Sequence, residues 1–393
     1  MFRINVQSSI RVLSRLNNII ENVTFRRNLY APATLGLNGY SDMRERTNGQ
    51  FINTVDKFKE KMKTFVDDKP TNMIFTEDLR NMIHLAEKNK EDIELVVKMI
   101  KKFNSQNKEL RFGNFVFGPV VFRMFYYLGD VDTALECFKD PQLDGFFDQL
   151  ISYQLLMDLL FEKGRYQDIL NVFDLIKSRQ VQGTKYARHI VVLTMAACYK
   201  LNTPQSLEFA LNLLRELREL NYVPMRKAAA FAAGLALRQN SPHVALEIVA
   251  NQKDQQYITM RNIKALAYAE MNRPEDALPI LRSVLEVDEP VGKGKRTFIR
   301  DVVNKVGESI KKNNRKDLEA DFVRIEKFLA DQGHISDDSL DTVLCLPITD
   351  TSYTAQRREK SMIAASFNRD SQQRSRFTKQ KQIRNREGLA DLY

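Results

Sequence analysis

Only three cysteines occur among the 393 residues, Cys137, Cys198 and Cys345, odd in number and far apart. That argues against a disulfide framework and for a reducing compartment. No apolar run approaches the ~20 residues that cross a bilayer, so no membrane span is expected. The four histidines, His84, His189, His243 and His334, stand alone, without a cysteine or paired carboxylate at ligand spacing; no metal site and no cofactor are expected. The sequence also lacks His-Glu-x-x-His, Gly-x-Ser-x-Gly and a strand-linked Gly-x-Gly-x-x-Gly. Gly292-Lys293-Gly294-Lys295 misses the spacing of a phosphate loop and reads as a flexible basic connector. Without a nucleophile, a metal or a catalytic constellation, the chain reads as a binder, not an enzyme, with no small-molecule substrate.

Charge is unevenly spread. The formal net charge is +10, but residues 1–30 carry +4, residues 352–393 carry +6, and the body between them sums to zero. Any positive groove in the body must come from arrangement, since there is no excess to distribute. Residues 1–30 combine Arg3, Arg11, Arg15, Arg26 and Arg27 with Ile10, Leu13, Leu16 and Ile20 on one helical face and a single acid, Glu21. That is the build of a mitochondrial transit peptide, with cleavage expected near Leu29–Ala31, just beyond Arg27. Residues 350–393 lose apolar periodicity and become rich in Arg, Lys, Gln and Ser. A disordered basic tail is expected there, able to meet phosphates or acidic proteins.

What is present is a repeat. Residues 150–184 form a near-ideal helical hairpin, with Tyr153, Leu156, Met157 and Leu160 at helical spacing, then Ile169, Val172, Phe173 and Ile176 in the partner helix. A Gly or Asn closes the first helix of each pair, and an apolar residue follows six positions on: Asn89 and Leu95, Gly129 and Leu135, Gly164 and Leu170, Asn240 and Leu246, Asn272 and Leu278. Asn202 and Leu211 repeat it with a longer turn. Gly and Asn tolerate the left-handed closing conformation. Pro204, Pro242 and Pro274 sit where second helices begin, with Thr203 and Ser241 placed as N-caps. A step of 35 residues separates Leu135 from Leu170 and Leu211 from Leu246. Such a unit cannot cover its own apolar face and must lean on its neighbour. The expected fold is all-α: an α/α superhelical solenoid of helical hairpins. It would comprise an N-terminal linker or helix over 31–71, repeats over 72–288, capping helices over 296–332, and the basic tail. The stripe Phe117, Val121, Met124, Phe125 and Leu128 reads as packing and not as a base-stacking platform.

The 35-residue unit resembles the pentatricopeptide repeat: Tyr153, Leu156, Gly164, Arg165, Leu170, Phe173 and Lys177 stand where that motif expects them, and Pro224 matches its closing proline. The resemblance implies an RNA-binding solenoid of the mitochondrial matrix that takes single-stranded mitochondrial RNA, acts in RNA maturation and thereby serves the respiratory chain. Its expected partners are an RNA-processing nuclease or the mitochondrial ribosome. A protein-interaction scaffold attached to that ribosome is the alternative.

In that family the fifth residue of the first helix and the last residue of the unit contact a base. Carried over, the fifth positions are Leu79, Pro119, Gln154, Val192, Ala230 and Asn262. Asn262 is the usual type of reader, and Gln154 with Thr184 can hydrogen-bond; Leu, Pro, Val and Ala cannot read a base edge. The same helix face collects Arg123, His189, Lys200, Lys227 and Arg238, a ladder that could track a single-stranded backbone, opposed by Asp158, Glu162 and Glu270. The expected RNA-binding residues are therefore Arg123, Gln154, Thr184, His189, Lys200, Lys227, Arg238 and Asn262.

Overall fold

A computed structural model describes residues 29–67, 72–106, 115–180, 185–253, 257–285 and 296–348. The expected transit peptide up to residue 28, Thr184, the connector at 292–295 and the basic tail from residue 349 lie outside these residues. The described residues to Pro347 belong to one compact unit.

The unit is built of paired helices. After α1 (Pro32–Leu35), α2 (Leu37–Phe51) and α3 (Val55–Asp67) come successive pairs: α4 (Thr76–Leu85) with α5 (Lys90–Ser105), α6 (Gly118–Leu128) with α7 (Val131–Lys139), and α8 (Leu150–Glu162) with α9 (Tyr166–Arg179). Then follow α10 (Arg188–Leu201) with α11 (Pro204–Glu219), α12 (Arg226–Arg238) with α13 (Pro242–Ala250), and α14 (Ile258–Glu270) with α15 (Pro274–Arg282). A last pair, α16 (Arg300–Lys312) and α17 (Lys316–Asp331), is flanked by the short strands β1 (Phe298–Ile299) and β2 (Ile335–Ser336), and α18 (Leu340–Leu344) ends the unit. The strands pair in parallel, Phe298 opposite Ile335.

Turn chemistry explains the pairing. Gly129, Gly164, Asn202, Asn240 and Asn272 all have positive φ. In four of these turns the next residue's N–H reaches back to close the helix: Asp130 to the Phe125 carbonyl (3.1 Å), Arg165 to Leu160 (2.9 Å), Ser241 to Ala236 (2.8 Å) and Arg273 to Tyr268 (2.9 Å). A Cβ on Gly164 would meet nothing within 4 Å, so its φ of +74°, not crowding, is what asks for glycine there. Asn314, at φ 48°, closes α16 in the same left-handed way, so the capping helices are themselves a hairpin of the array.

Two local expectations need correction. Asn89 is extended (φ −127°) and caps the start of α5, its side chain accepting from the Asp92 N–H; it does not close α4. Ser241 makes no capping bond, because its hydroxyl donates to the Gln239 carbonyl instead. Thr203 does cap, in a reciprocal capping box with Ser206.

The first helices of successive pairs stand side by side as an inner layer, and the second helices lean on their outer side. The two layers differ in composition for a physical reason. Helix α9 buries one stripe, Ile169, Leu170, Val172, Phe173 and Ile176, whereas α8 is apolar almost all round and every residue from Ser152 to Phe161 is buried. The same holds from Ile190 to Tyr199 in α10 and from Lys227 to Leu237 in α12. A helix buried on all sides needs cover on both its faces. The outer cover comes from the second helices. The inner cover comes from residues 29–35 and from α18.

Candidate nucleic-acid interface

The inner wall formed by α6, α8, α10, α12 and α14 is the face on which the expected ladder lies. Two segments distant in sequence lie over it. Residues 29–35 cross α6, α8 and α10; Leu29, Tyr30 and Leu35 are each fully buried. Beyond α17 the chain turns back, and α18 packs on α12, its Leu344 fully buried.

These straps take up most of the expected contacts, which corrects the picture of an open groove. Arg123 donates from Nε to the Leu35 carbonyl at 2.9 Å, and burial holds its pKa below the ordinary value. A Cβ on Gly36 would fall 2.9 Å from the Arg123 Nη2, so a larger residue there would have to displace this guanidinium, and the φ of +70° favours glycine independently. The Nδ1 of His189 lies 3.1 Å from the Tyr30 hydroxyl. Lys200 and Arg238 share one carboxylate, Asp341, at 2.8 and 3.2 Å, and Arg238 also stacks 4.0 Å over the Tyr199 ring. Lys227 donates to the Leu346 carbonyl at 3.1 Å. Burial pulls its pKa down to about 8; Cys345 opposes that in part, and the charge of Arg226 adds a smaller push downward.

The expected base readers are enclosed too. Asn262 is 1% exposed. Its Nδ2 donates to the carbonyls of Ile258 and Thr297, and its Oδ1 accepts from the Ile299 N–H at 2.8 Å. The amide is spent on tying β1 to α14, with no edge left for a base. Gln154 is buried at 6% exposure. Thr184, its expected companion, lies outside the described residues. Of the opposing acids, Asp158 sits inside the wall and Glu270 pairs with Lys305.

The structure brings together a group that sequence reasoning missed. Arg261 is only 5% exposed, and its Nη1 has no hydrogen-bond partner. Burial lowers its pKa, and the charge of Arg296 lowers it further. Lys264, one turn along α14, is shifted down by burial and then by Arg261. Arg226, at the start of α12, stacks 4.7 Å from the Tyr257 ring centroid, and its charge acts on Lys227. Along α14 the cations thus repel one another: Arg261 feels the charge of Arg296, and Lys264 that of Arg261. An anion bound there would relieve both the repulsion and the desolvation of Nη1. The available signal was the i, i+3 spacing of Arg261 and Lys264, hidden because Asn262 between them drew the base-reading role.

Among the described residues, no group of His, Cys, Asp and Glu could hold a metal ion, and no helix is long and apolar enough to cross a membrane.

Helix pairs closed by left-handed Gly or Asn and stacked as an inner and an outer layer make this an α/α solenoid of the pentatricopeptide type. No family model matches the chain. It is similar to pentatricopeptide repeat-containing protein 2, mitochondrial, of Homo sapiens, at 32% identity over 273 residues, which cover 70% of this chain and 69% of the human one. The Xenopus laevis protein of that name is 31% identical over 70% of each chain. The Danio rerio protein is 29% identical over 77% of this chain and 76% of its own. The chain belongs to the family of pentatricopeptide repeat-containing protein 2.

Proposed function

We propose that this chain is a mitochondrial RNA-binding protein of the matrix, acting in the maturation of single-stranded transcripts and through them on the respiratory chain, as a holder and not as a nuclease. The carrying observation is the buried Arg261 with an unpartnered Nη1 facing the charges of Arg296 and Lys264. A row of cations at that end of the wall suits phosphate oxygens, which accept hydrogen bonds and carry charge but hold no sequence information. Base reading at the fifth positions has no part in the proposal, because Asn262 and Gln154 are enclosed.

Affinity for single-stranded RNA is expected to fall steeply with salt, since each neutralised phosphate releases counterions. Replacing Lys264 and Arg296 by alanine should weaken binding alike for all sequences and lower the salt slope by about 0.7 for each phosphate that is no longer neutralised. Unchanged affinity and slope would remove this site from the interface. The competing reading is a protein scaffold on the mitochondrial ribosome, favoured by an apolar groove between α11 and α13 lined by Leu214, Tyr222, Val223, Pro224 and Ile248. Absent RNA affinity together with ribosomal co-sedimentation that survives ribonuclease would replace the first reading with that one.

A further inference from the structure

Asp158 is a carboxylate in the wrong place for its charge. It lies in the middle of α8 with no exposed surface. Its Oδ2 accepts a hydrogen bond from the Tyr126 hydroxyl at 2.8 Å, while Oδ1 makes none. Burial, and after it the negative charge of Glu162 one turn along, raise its pKa to about 7, and among the described residues no cation stands among the groups acting in the other direction. The groups that do favour its ionised form are the Tyr126 hydroxyl and the backbone N–H groups of Tyr30 and Leu29. A carboxylate taken out of water needs its charge paired, and a hydroxyl and two amide dipoles bring no counter-charge.

The segment facing it is held firmly. Leu29 and Tyr30 have no exposed surface, the Tyr30 hydroxyl meets Nδ1 of His189, and the Leu35 carbonyl is held by Arg123. Two residues before Leu29 the sequence ends its basic run with Arg26 and Arg27, where removal of the leading segment is expected.

We infer that the mature chain begins at Leu29, and that its α-ammonium docks on the carboxylate of Asp158 inside the wall. Hydrolysis of the Asn28–Leu29 peptide bond supplies that group: water adds across the bond, Asn28 leaves with a carboxylate, and Leu29 keeps the nitrogen as an ammonium. One amide N–H becomes three N–H donors and a whole charge at the same place. The cut falls before Leu29 and not after it, because losing this fully buried side chain would empty a filled site. It also precedes folding, since Leu29 is enclosed in the finished unit and out of a peptidase's reach. The inference rests on the mitochondrial reading for its peptidase, but the docking itself does not.

Two measurements test it. Full-length chain is expressed in cells and recovered from their mitochondria, and its first residue is read by terminal sequencing and intact mass. Leu29 is expected. A mitochondrial chain that starts elsewhere overturns the inference and leaves the location standing. A chain absent from mitochondria overturns the location and, with it, maturation at this bond. The docking is judged separately by acetylating amines of the chain beginning at Leu29, native and in urea. The α-amine of the native protein should react more than an order of magnitude more slowly than in urea, a comparison that needs no substitution. In Asp158→Asn, checked for retained helicity, that protection should be lost. Equal labelling of the native and unfolded chains overturns the docking.

Discussion

Replacing Leu344 with alanine removes the buried side chain that seats α18 on the wall. A buried Leu→Ala change costs about 2–5 kcal/mol, depending on how far the site collapses. The other ties of this strap are weaker. The pairs of Asp341 with Lys200 and Arg238 are partly exposed and contribute about 0–1 kcal/mol each. The Lys227 bond to the Leu346 carbonyl adds about 1.5–3 kcal/mol as a charge-assisted contact. A helix of five residues has no stability of its own, so losing Leu344 should leave the strap close to balance between seated and free. Hydrogen exchange is the assay. The amides of Val343 and Cys345, bonded to Ser339 and Asp341, should exchange nearly as fast as in an open peptide, while those of α10 and α12 keep most of their protection and the melting temperature falls by only a few degrees. In the intact chain a Cβ on Gly234 would lie 2.9 Å from Cδ1 of Leu344 and 3.2 Å from Cε2 of Tyr199. Gly234→Ala should therefore loosen the same amides, while the better helix propensity of alanine offsets part of the cost. Unchanged exchange at Val343 and Cys345, with a melting temperature lowered as by a core deletion, would show that α18 unfolds only with the whole unit and is no separable strap.

Two further outcomes are expected. His84 is 4% exposed; burial, and after it the charges of Arg80 and Arg44, push its pKa from 6.5 down to about 4. The folded chain therefore keeps this ring neutral where the unfolded chain binds a proton: its contribution is complete above about pH 6.5 and lost as pH falls towards 4, roughly 3 kcal/mol in all. Chemical denaturation of His84→Phe should show a shallower loss than the parent over that window. Because Asp158, raised to about 7 while the Asn28–Leu29 bond is intact, acts in the opposite sense in the uncleaved chain, the comparison between parent and variant of the same length carries the result, and parallel profiles would contradict it. Asn262→Ala should destabilise the unit by about 1–3 kcal/mol by stranding the Ile299 N–H and leave the affinity of folded protein for RNA unchanged; a base-dependent loss of affinity without a stability change would restore Asn262 as a reader.

The local features were determined by the sequence itself. Gly129, Gly164, Asn240 and Asn272 close their helices because only residues tolerant of positive φ can, and the prolines at 204, 242 and 274 start the next ones because their neighbours in the chain are enough to decide it. The stripe of α9 was legible for the same reason: helical spacing alone sorts one face from the other. Asn89 shows the edge of that logic, since a residue suited to close one helix also caps the next, and the nearby Asp92 N–H tipped the choice. The wall was decided by tertiary structure. Arg123, His189, Lys200, Lys227 and Arg238 do lie on the inner face, yet whether that face meets solvent depends on Tyr30, Leu35, Asp341 and Leu346, most of them a hundred residues or so away. Helical periodicity says which side a residue takes. It carries no information on what returns to cover that side, because such a contact is set by the path of the whole stacked chain and not by any spacing within one helix.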